Sequence, residues 1–380
     1  MKLIFLSNFF NYHQAALCDA LWELTGGEFR FVETEDMPAQ RKELGFRCLQ
    51  RPYLLRLEEH GEVIFQALKD ADAVLAGEAP EHLIRRRIRT GKLLLRYSER
   101  PLRNGAEPLK YLPRWIRWHW RNPKGLPIYQ LCASAYTAGD YARFGLFQGR
   151  CFRWGYFPET REYTPEGLFR EKDPAHILWC GRFLGWKHPH AALAAAGRLR
   201  QEGFRFTLDL IGGGAEEAAL RQQIRQLGLQ ECVRLLGTMD QRQVRQHMER
   251  AGIYLFTSDR REGWGVVLNE AMNSGCAVIA SHAIGSVPYL IRPGENGLVY
   301  PSGNQERLYE CLKYLLLHPR EQQRLGERAY ETIRSCWNAE EAARRLLVLT
   351  ECLLRGEDGR GLYAEGPCSL SEKRGEDWFR

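Results

Sequence analysis

The chain has 380 residues, of which 44% are hydrophobic and 27% charged, and it carries a net charge of +7. This length exceeds what one ordinary core organises and predicts two domains of roughly 150–200 residues each. The composition is that of a globular protein, and the charge suits phosphorylated ligands or an anionic membrane, but no module typical of nucleic-acid binding concentrates it.

Two further classes are excluded by pattern. No apolar run approaches the ~20 residues that span a bilayer, and residues 1–7 lack a small-residue cleavage site and read as a first strand. The eleven cysteines are odd in number and contain no CxxC pair. This pattern predicts reduced thiols in a cytoplasmic protein and argues against disulfides and a zinc site.

Short apolar runs alternate with helical patterns through the first half. Strands are expected at Lys2–Ser7, Phe29–Thr34, Ala73–Gly77, Lys92–Ser98 and Gln130–Ala133. Such alternation predicts βαβ units and a parallel sheet covered on both faces.

Residues 111–121 form an unusual helical segment, YLPRWIRWHWR, in which three tryptophans alternate with arginines. One interpretation is an interfacial helix that lies among the headgroups of an anionic membrane at its cytoplasmic face. The other is a helix packed on the core, whose arginines extend to solvent.

The second half alternates more cleanly. Strands are expected at Ile177–Gly181, Phe206–Ile211, Val233–Gly237, Ile253–Thr257, Ala277–Ser281 and Leu298–Tyr300. Helices are expected at Pro189–Glu202, Glu216–Leu227, Gln241–Ala251 and Val266–Ser274. The predicted fold class is therefore α/β with two doubly wound, Rossmann-like domains facing across a cleft.

The domain boundaries follow from composition. The N-terminal domain is placed at 1–165 and the C-terminal domain at 170–337, with the linker between Phe157 and Asp173, where proline and glycine cluster. An amphipathic helix is expected at 338–355. Residues 356–380 are rich in Gly, Glu and Arg, lack periodicity and are expected to be disordered.

In parallel α/β sheets, ligands bind beyond the carboxyl ends of the strands. The strongest motif there is 257–275, TSDRREGWGVVLNEAMNSG, a strand end followed by a loop and a helix. Gly263 and Gly265 would let the backbone approach a ligand at the helix N-terminus, where free N–H groups attract an anion. Glu262 and Glu270 would reach opposite ends of a long ligand, or would be an ordinary loop charge and an ordinary helix residue.

Two other loops follow strands at the same edge. Arg182 and Lys187 lie just after the strand that ends near Gly181, and two cations there suit a pyrophosphate. Gly212 and Gly213 follow the next strand and would serve either a tight turn or close approach of a nucleotide, although no full dinucleotide fingerprint is present.

The motif at 262–270 resembles the Glu-x7-Glu signature of the retaining family 4 glycosyltransferases, which have the GT-B fold. The Glu-Ala-Met-x-x-Gly continuation is present at 270–275, and Arg182 and Lys187 match the Gly-Arg…Lys element of that family. The resemblance covers 175–300, extends to 301–350 and is weak in the N-terminal half. It implies transfer of a hexosyl group from a nucleotide-diphosphate sugar, most often a UDP-sugar, without a metal, in the assembly of bacterial surface polysaccharides.

The resemblance also implies roles for individual residues. Glu262 would contact sugar hydroxyls, Glu270 the ribose, and Arg182 and Lys187 the departing diphosphate. The donor-binding residues would be Gly181, Gly212, Gly213, Gly263, Trp264, Gly265, Val266, Val267 and Glu270. The helix at 338–355 would pack back on the N-terminal domain.

The acceptor side is less clear because the loops after the first and fourth strands depart from the family pattern. His13 and Glu99 are the candidates for binding a glycan or lipid-linked acceptor. The pair Asp70 and Asp72 resembles a metal clamp but should lie at the amino end of a strand, away from the cleft. Two rival functions stay open: a nucleotide-sugar epimerase of the same fold, and a non-catalytic protein that binds nucleotides or glycans.

Overall fold

The computed structural model describes residues 1–38, 49–105, 107–375 and 377–379. The chain divides into two compact units. Unit 1 comprises Met1–Glu159 and Cys336–Arg374, and unit 2 comprises Thr160–Ser335 and Gly375–Arg380. The first change of unit thus lies within the 157–173 segment that composition indicated as the linker.

Unit 1 is built on one seven-stranded parallel sheet, of order β3-β2-β1-β4-β5-β6-β7. Its strands are β1 Leu3–Ser7, β2 Phe29–Glu33, β3 Leu54–Arg56, β4 Ala73–Ala76, β5 Leu94–Ser98, β6 Ile128–Cys132 and β7 Cys151–Arg153. Its helices are α1 Tyr12–Leu24, α2 Leu57–Asp70, α3 Glu81–Ile88, α4 Tyr111–Arg121, α5 Thr137–Ala142 and α14 Ala339–Leu354. The central strand β1 is buried at all five positions, as expected for a parallel strand covered on both faces.

The last long helix belongs to unit 1, where α14 packs against α1. Asn338 begins α14, because its side chain accepts a hydrogen bond from the backbone N–H of Glu341 at 2.9 Å, the usual arrangement of an N-cap. Most of the buried residues of α14 are aliphatic, among them Leu346 and Leu349.

The expectation of a disordered tail is wrong for residues 356–374. Cys368 and Ser369 are buried, and the backbone of this segment pairs with β7. Arg153 N–H donates to the Ser369 carbonyl at 2.7 Å, and Cys368 N–H donates to the Arg153 carbonyl at 2.8 Å. A sheet edge offers unpaired backbone groups to any segment, so this docking depends on backbone pairing that composition does not reveal.

Unit 2 contains a six-stranded parallel sheet, of order β10-β9-β8-β11-β12-β13. Its strands are β8 Asp173–Cys180, β9 Thr207–Ile211, β10 Val233–Gly237, β11 Ala251–Phe256, β12 Ala277–Ser281 and β13 Leu298–Tyr300. Its helices are α6 Pro165–Phe169, α7 Pro189–Gln201, α8 Glu217–Gln226, α9 Gln241–Arg250, α10 Val267–Asn273, α11 Val287–Leu290, α12 Gln305–Leu317 and α13 Pro319–Ser335. The central strand β11 is buried at every position.

The predicted α/β class with two doubly wound domains is confirmed. The predicted strands and helices are present in both units, with ends displaced by a few residues. Two strands were missed, β3 and β7, each of which is only three residues long. Across the part of the chain that the structure describes, the helices are all too short or too polar to cross a bilayer.

Candidate functional site

The candidate site lies at the carboxyl edge of the unit 2 sheet. Strands β8 and β11 are parallel neighbours at its centre, so the loops that follow them leave from the same edge. The loop after β8 includes a short 3₁₀ turn, Gly185–Lys187, and the loop after β11 leads to α10. The motifs predicted from the sequence are therefore brought together by the topology.

Lys187 and Glu262 form the central ion pair of this edge. Lys187 Nζ lies 2.6 Å from Glu262 Oε2, and the two side chains are only 13% and 11% exposed. Ser258 Oγ donates to the same carboxylate oxygen at 2.9 Å. In the described part of the chain, Oε1 of Glu262 has no hydrogen-bond partner, so one carboxylate oxygen stays available to a ligand hydroxyl.

A hydroxyl from the end of β11 holds the lysine loop in place. Thr257 Oγ1 accepts a hydrogen bond from Trp179 Nε1 at 2.8 Å and donates one to the Lys187 carbonyl at 2.7 Å. The N–H of Asp259 donates to the Trp186 carbonyl at 3.0 Å. Because the two loops are joined through side chains and backbone, the Lys187–Glu262 distance does not depend on the ion pair alone.

Gly265 gives the turn before α10 its shape. Its φ is +81°, which favours glycine, and a Cβ at this position would overlap the ring of Phe256. The first helical hydrogen bond is donated by Leu268 N–H to the Gly265 carbonyl. The N–H groups of Val266 and Val267 therefore have no acceptor within the helix.

Trp264 anchors this turn with a buried side chain. Its side chain is fully buried, its indole N–H donates to Asn269 Oδ1 at 2.9 Å, and its carbonyl accepts a hydrogen bond from Ser286 Oγ at 2.5 Å. The sequence singled out Trp264 as a donor-binding residue. In the structure the indole is buried and hydrogen-bonded within the protein, so it supports the turn.

Glu270 is buried on α10 and reaches the other side of the same edge. Its Oε1 accepts a hydrogen bond from Gln241 Nε2, at the start of α9, at 2.9 Å. Burial above all, and also the charge of Glu270, raise the pKa of the Cys180 thiol to about 12, and the charge of Lys187 acts in the opposite direction. Cys180 ends β8, so Lys187 and Glu270 both lie close enough to that strand end to act on one thiol.

Glycines allow the loops after β8 and β9 to pack on each other. Gly212 has a φ of +142°, and a Cβ there would overlap the Gly181 carbonyl oxygen. Phe183 N–H donates to the carbonyl of Gly213 at 2.8 Å. These contacts support the tight-turn interpretation of the glycines and leave a nucleotide role untested.

Arg182 lies between Gly181 and Phe183, which both contact the glycine loop, and its own side chain is exposed. Within the described residues its side chain has neither an ion pair nor a hydrogen bond. The structure thus brings Lys187 and Glu262 into direct contact at this edge. Glu270 is held at the same edge by Gln241, and Arg182 is an exposed cation at the end of β8.

The acceptor candidates belong to unit 1. Glu99, after β5, forms an ion pair with Arg103 at 3.2 Å and accepts a hydrogen bond from Tyr156 at 3.3 Å. Burial, and the negative charge of Glu99, raise the pKa of Tyr156. His13 is in the first turn of α1, which Asn11 caps.

Two polar residues near these candidates were not predicted. Asn8, after β1, donates to Glu78, after β4, at 3.3 Å, and both follow carboxyl ends of strands in the unit 1 sheet. The signal that could have found them is position alone, since each follows directly on an apolar run. Ser258 and Gln241 in unit 2, which contact Glu262 and Glu270 respectively, were also missed.

The Asp70 and Asp72 pair lies where the sequence placed it. Asp70 ends α2, and Asp72 Oδ2 accepts a hydrogen bond from the backbone N–H of Lys2 at 2.7 Å. Lys2 precedes β1, so Asp72 lies at the amino edge of the sheet, opposite the edge where the acceptor candidates are found.

The family comparison matches the half of the chain that holds the ion pair. Residues 161–332 match the model of the family described as Glycosyl transferases group 1. These residues form a glycosyl transferases group 1 domain. The match contains both strands of the site, β8 and β11, and every residue predicted to bind the donor.

Two curated relatives that match this domain are named as biosynthetic glycosyltransferases. The chain is 30% identical over 182 residues to "Amylovoran biosynthesis glycosyltransferase AmsK" of Erwinia amylovora, covering 44% of each protein. It is 26% identical over 201 residues to "Putative colanic acid biosynthesis glycosyltransferase WcaL" of Escherichia coli, covering 51% of this chain and 49% of that one. The chain thus spans about half the length of the curated relatives that it matches.

Solved structures show that the likeness in fold extends beyond the group 1 domain. "Anabaena Alr3699/HepE in complex with UDP" has a TM-score of 0.69 at 16% identity and covers 92% of this chain and 99% of that one. A glycosyltransferase from Rickettsia africae has a TM-score of 0.68 at 15% identity and covers 93% and 99%. At this identity the likeness concerns the fold, and it confirms the predicted GT-B class.

Proposed function

We propose that this protein is a retaining glycosyltransferase of family 4 type. It would transfer a hexosyl group from a nucleotide-diphosphate sugar to a hydroxyl of a glycan or lipid-linked acceptor, in the assembly of bacterial surface polysaccharide. The observation that carries the proposal is the 2.6 Å pair of Lys187 and Glu262. It sets a cation and a carboxylate at the strand edge beside the glycine turn that begins α10.

Each group of the edge has a role in this proposal. Lys187 and Arg182 neutralise the charge that grows on the departing diphosphate, so no metal is required for that step. Glu262 uses its unoccupied Oε1 to accept a hydrogen bond from a sugar hydroxyl. Glu270 accepts one from the ribose, in place of or beside Gln241.

The chemistry needs no nucleophile from the protein. The acceptor hydroxyl attacks the anomeric carbon on the side of the leaving group, the bond from that carbon to the diphosphate oxygen breaks, and the departing phosphate takes the acceptor proton. Configuration at the anomeric carbon is then retained. We propose His13 and Glu99 as acceptor-binding residues and a UDP-sugar as the donor; UDP is also the nucleotide named for the Anabaena structure.

A ligand panel tests the donor assignment. Thermal unfolding is followed with nucleoside diphosphates and nucleotide sugars, because a bound ligand raises the midpoint by mass action. We expect a UDP-sugar to give the largest rise and Lys187→Ala to abolish it. The control is Lys313→Ala, which removes a half-exposed cation of the same unit that pairs with Glu202.

Product analysis separates transfer from its rivals. With donor and acceptor together, transfer is expected with retained configuration, and Glu262→Ala should lower its rate by about a hundredfold or more. Conversion of donor alone to an epimer would identify an epimerase, and binding without turnover a non-catalytic protein. Unchanged transfer in both Lys187→Ala and Glu262→Ala would refute the site.

A further inference from the structure

The outer face of α4 is apolar and exposed, although the helix is packed on the core by its opposite face. Leu112, Ile116 and Trp120 are spaced by four residues and share a face. Their exposed fractions are 63%, 55% and 55%. Trp115, one position from this row, is also exposed, so the helix presents a continuous apolar surface of large side chains.

The inner face of α4 shows that this exposure is not a packing defect. Trp118 is 8% exposed and packs edge-on against Phe144, with the ring centroids 4.5 Å apart. Tyr111 stacks on the same ring at 4.8 Å, and its hydroxyl donates to the Arg143 carbonyl at 2.9 Å. Because the core already holds α4 by these two residues, the outward face is free for another partner.

A row of cations runs along one flank of the apolar face. Its members follow one another at three- and four-residue intervals and so lie along one line of the helix: Lys110, Arg114, Arg117 and Arg121. Carboxylates pair with two of them, Glu107 with Lys110 at 2.8 Å and Glu81 with Arg121 at 3.3 Å. Within the described residues, Arg114 and Arg117 have no ion pair.

The neighbouring helix α3 adds to the same charge. The guanidinium of Arg85 lies 3.0 Å from the centroid of the Trp120 ring and donates to the Trp120 carbonyl at 2.7 Å. Arg86 on α3 and Arg89, directly after it, are exposed. The apolar surface is therefore bordered by cations from two helices, which is the charge arrangement that an anionic surface neutralises.

We propose that the α4 face, defined as Leu112, Trp115, Ile116 and Trp120 with its flanking cations, docks on a membrane surface that contains anionic lipid. The large apolar side chains enter the boundary between headgroups and acyl chains, and the cations contact lipid phosphates. A second copy of this chain is a poorer occupant, because it would bring an identical row of positive charge. The proposal does not depend on sugar transfer, since docking needs no donor.

Flotation with vesicles tests the docking. The full chain is mixed with vesicles of phosphatidylcholine alone or of phosphatidylcholine and phosphatidylglycerol in equal amounts. We expect the protein to float with the mixed vesicles and not with the neutral ones, and added salt to weaken binding. The double variant Leu112→Ser/Ile116→Ser should bind the mixed vesicles at least about tenfold more weakly than the wild type does, because it removes two of the apolar side chains that enter the lipid.

A matched control separates the face from general hydrophobicity. Leu24→Ser/Val63→Ser changes two apolar residues of the same unit that are 51% and 60% exposed and should bind as the wild type does. The variant Arg114→Gln/Arg117→Gln should weaken binding to the mixed vesicles and leave binding to the neutral vesicles unchanged, because it removes cations that contact anionic lipid. Circular dichroism and the UDP-induced rise in unfolding midpoint check that each variant is folded, with the donor site intact.

Three outcomes would overturn the docking proposal. The first is equal binding of the wild type to neutral and mixed vesicles. The second is an equal loss of vesicle binding in the Leu112→Ser/Ile116→Ser variant and in its control. The third is a wild-type dimer in sedimentation that the Leu112→Ser/Ile116→Ser variant abolishes. The last would assign the face to a second copy. A protein that floats as expected but shows no transferase activity would refute the proposed function and leave the docking proposal standing.

Discussion

Lys187 and Glu262 are 75 residues apart in the chain, yet their charged atoms lie 2.6 Å apart at the edge of the unit 2 sheet. Ser258 and Thr257, at the end of the neighbouring strand, hold the carboxylate and the lysine loop respectively. The pair is only slightly exposed, so removing one partner should cost more stability than at a surface pair, because a mostly buried charge is left uncompensated.

Removing either partner of this pair should destabilise the protein. We expect Lys187→Met and Glu262→Gln each to lower the free energy of unfolding by about 1–3 kcal/mol, because each leaves a mostly buried group without its counter-charge. The double variant should lose less stability than the sum of the two single losses. Denaturant unfolding measures this difference as a coupling energy. The exposed pair Arg198 and Glu306 is the control, and its cycle should show no measurable coupling. Additive losses at Lys187 and Glu262 would contradict the structure.

Gly265 offers a test with a closely matched partner. Gly265 and Gly303 have the same φ of +81°, but a Cβ at Gly303 meets nothing within 4 Å, whereas one at Gly265 would overlap the ring of Phe256. We expect Gly303→Ala to lower the free energy of unfolding by about 1 kcal/mol, because alanine disfavours this backbone conformation. Gly265→Ala should lower it by roughly 2 kcal/mol more, because the added methyl group also overpacks the turn. Equal shifts of the unfolding midpoint in the two variants would mean that the turn is less crowded than described.

The sequence indicated the candidate site of unit 2 through signals that are local. A strand end, two glycines and two glutamates lie within one short segment, and parallel topology brings the lysine loop beside it. The contacts that complete the edge are different in kind. Ser258 and Gln241 are recognised only once the distance to a carboxylate is known, and the docking of the tail on β7 uses backbone groups, which have no sequence signal. The helix at 111–121 shows the same limit, since the sequence alone does not tell that Trp118 packs on the core while Trp120 lies on the exposed face.

A buried carboxylate predicts how unit 2 responds to acid. Burial alone would raise the pKa of Asp209, but hydrogen bonds from His176 at 3.0 Å and Arg234 at 2.6 Å bring the pKa below its ordinary value of 3.8. A depressed folded pKa contributes stability above the unfolded pKa, and this stability is lost as the pH falls through the folded value. We expect Asp209→Asn to lower the free energy of unfolding by about 2–3 kcal/mol near neutral pH. Below about pH 4, the stability of this variant should fall less steeply with pH than that of the wild type.

The control for Asp209 is a carboxylate without such a network. Asp358 pairs with Arg360 at the surface, which also lowers its pKa. Because solvent screens this exposed pair, Asp358→Asn should change the neutral stability and the acid slope far less than Asp209→Asn does. An Asp209→Asn variant whose acid slope equals that of the wild type would show that Asp209 does not titrate as inferred.

Glu99 and His13 should act on the acceptor and not on the donor. Glu99→Gln keeps the size of the side chain and can still accept from Tyr156, but it removes the charge that pairs with Arg103. We expect it to slow transfer to the acceptor at least tenfold while the UDP-induced rise in the unfolding midpoint is unchanged. Arg103→Gln is the control for the ion pair itself. If it slows transfer equally, Glu99 acts through that pair; if Glu99→Gln and His13→Ala both transfer at the wild-type rate, the acceptor assignment fails.

Cys180 reports on whether the charges of the site converge at the end of β8. Its thiol pKa is raised to about 12 by burial and by Glu270, and lowered by Lys187. Only about one thiol in ten thousand is then ionised at pH 8, and alkylation, which requires the thiolate, should be very slow. Glu270→Gln removes a charge that raises the pKa and should speed alkylation about threefold, whereas Lys187→Met should slow it by a similar factor.

Mass spectrometry of alkylated peptides measures each cysteine separately. Cys311 is the internal control, since burial raises its pKa to about 11 and the charges acting on it are Arg307 and Glu310, not the site residues. Its rate should be the same in all three proteins. Opposite changes at Cys180, with none at Cys311, would show that a lysine and a glutamate from different loops act on one strand end. Changes of the same sign would mean that the variants loosen the fold, and no change would mean that their charges lie too far from β8 to share a ligand.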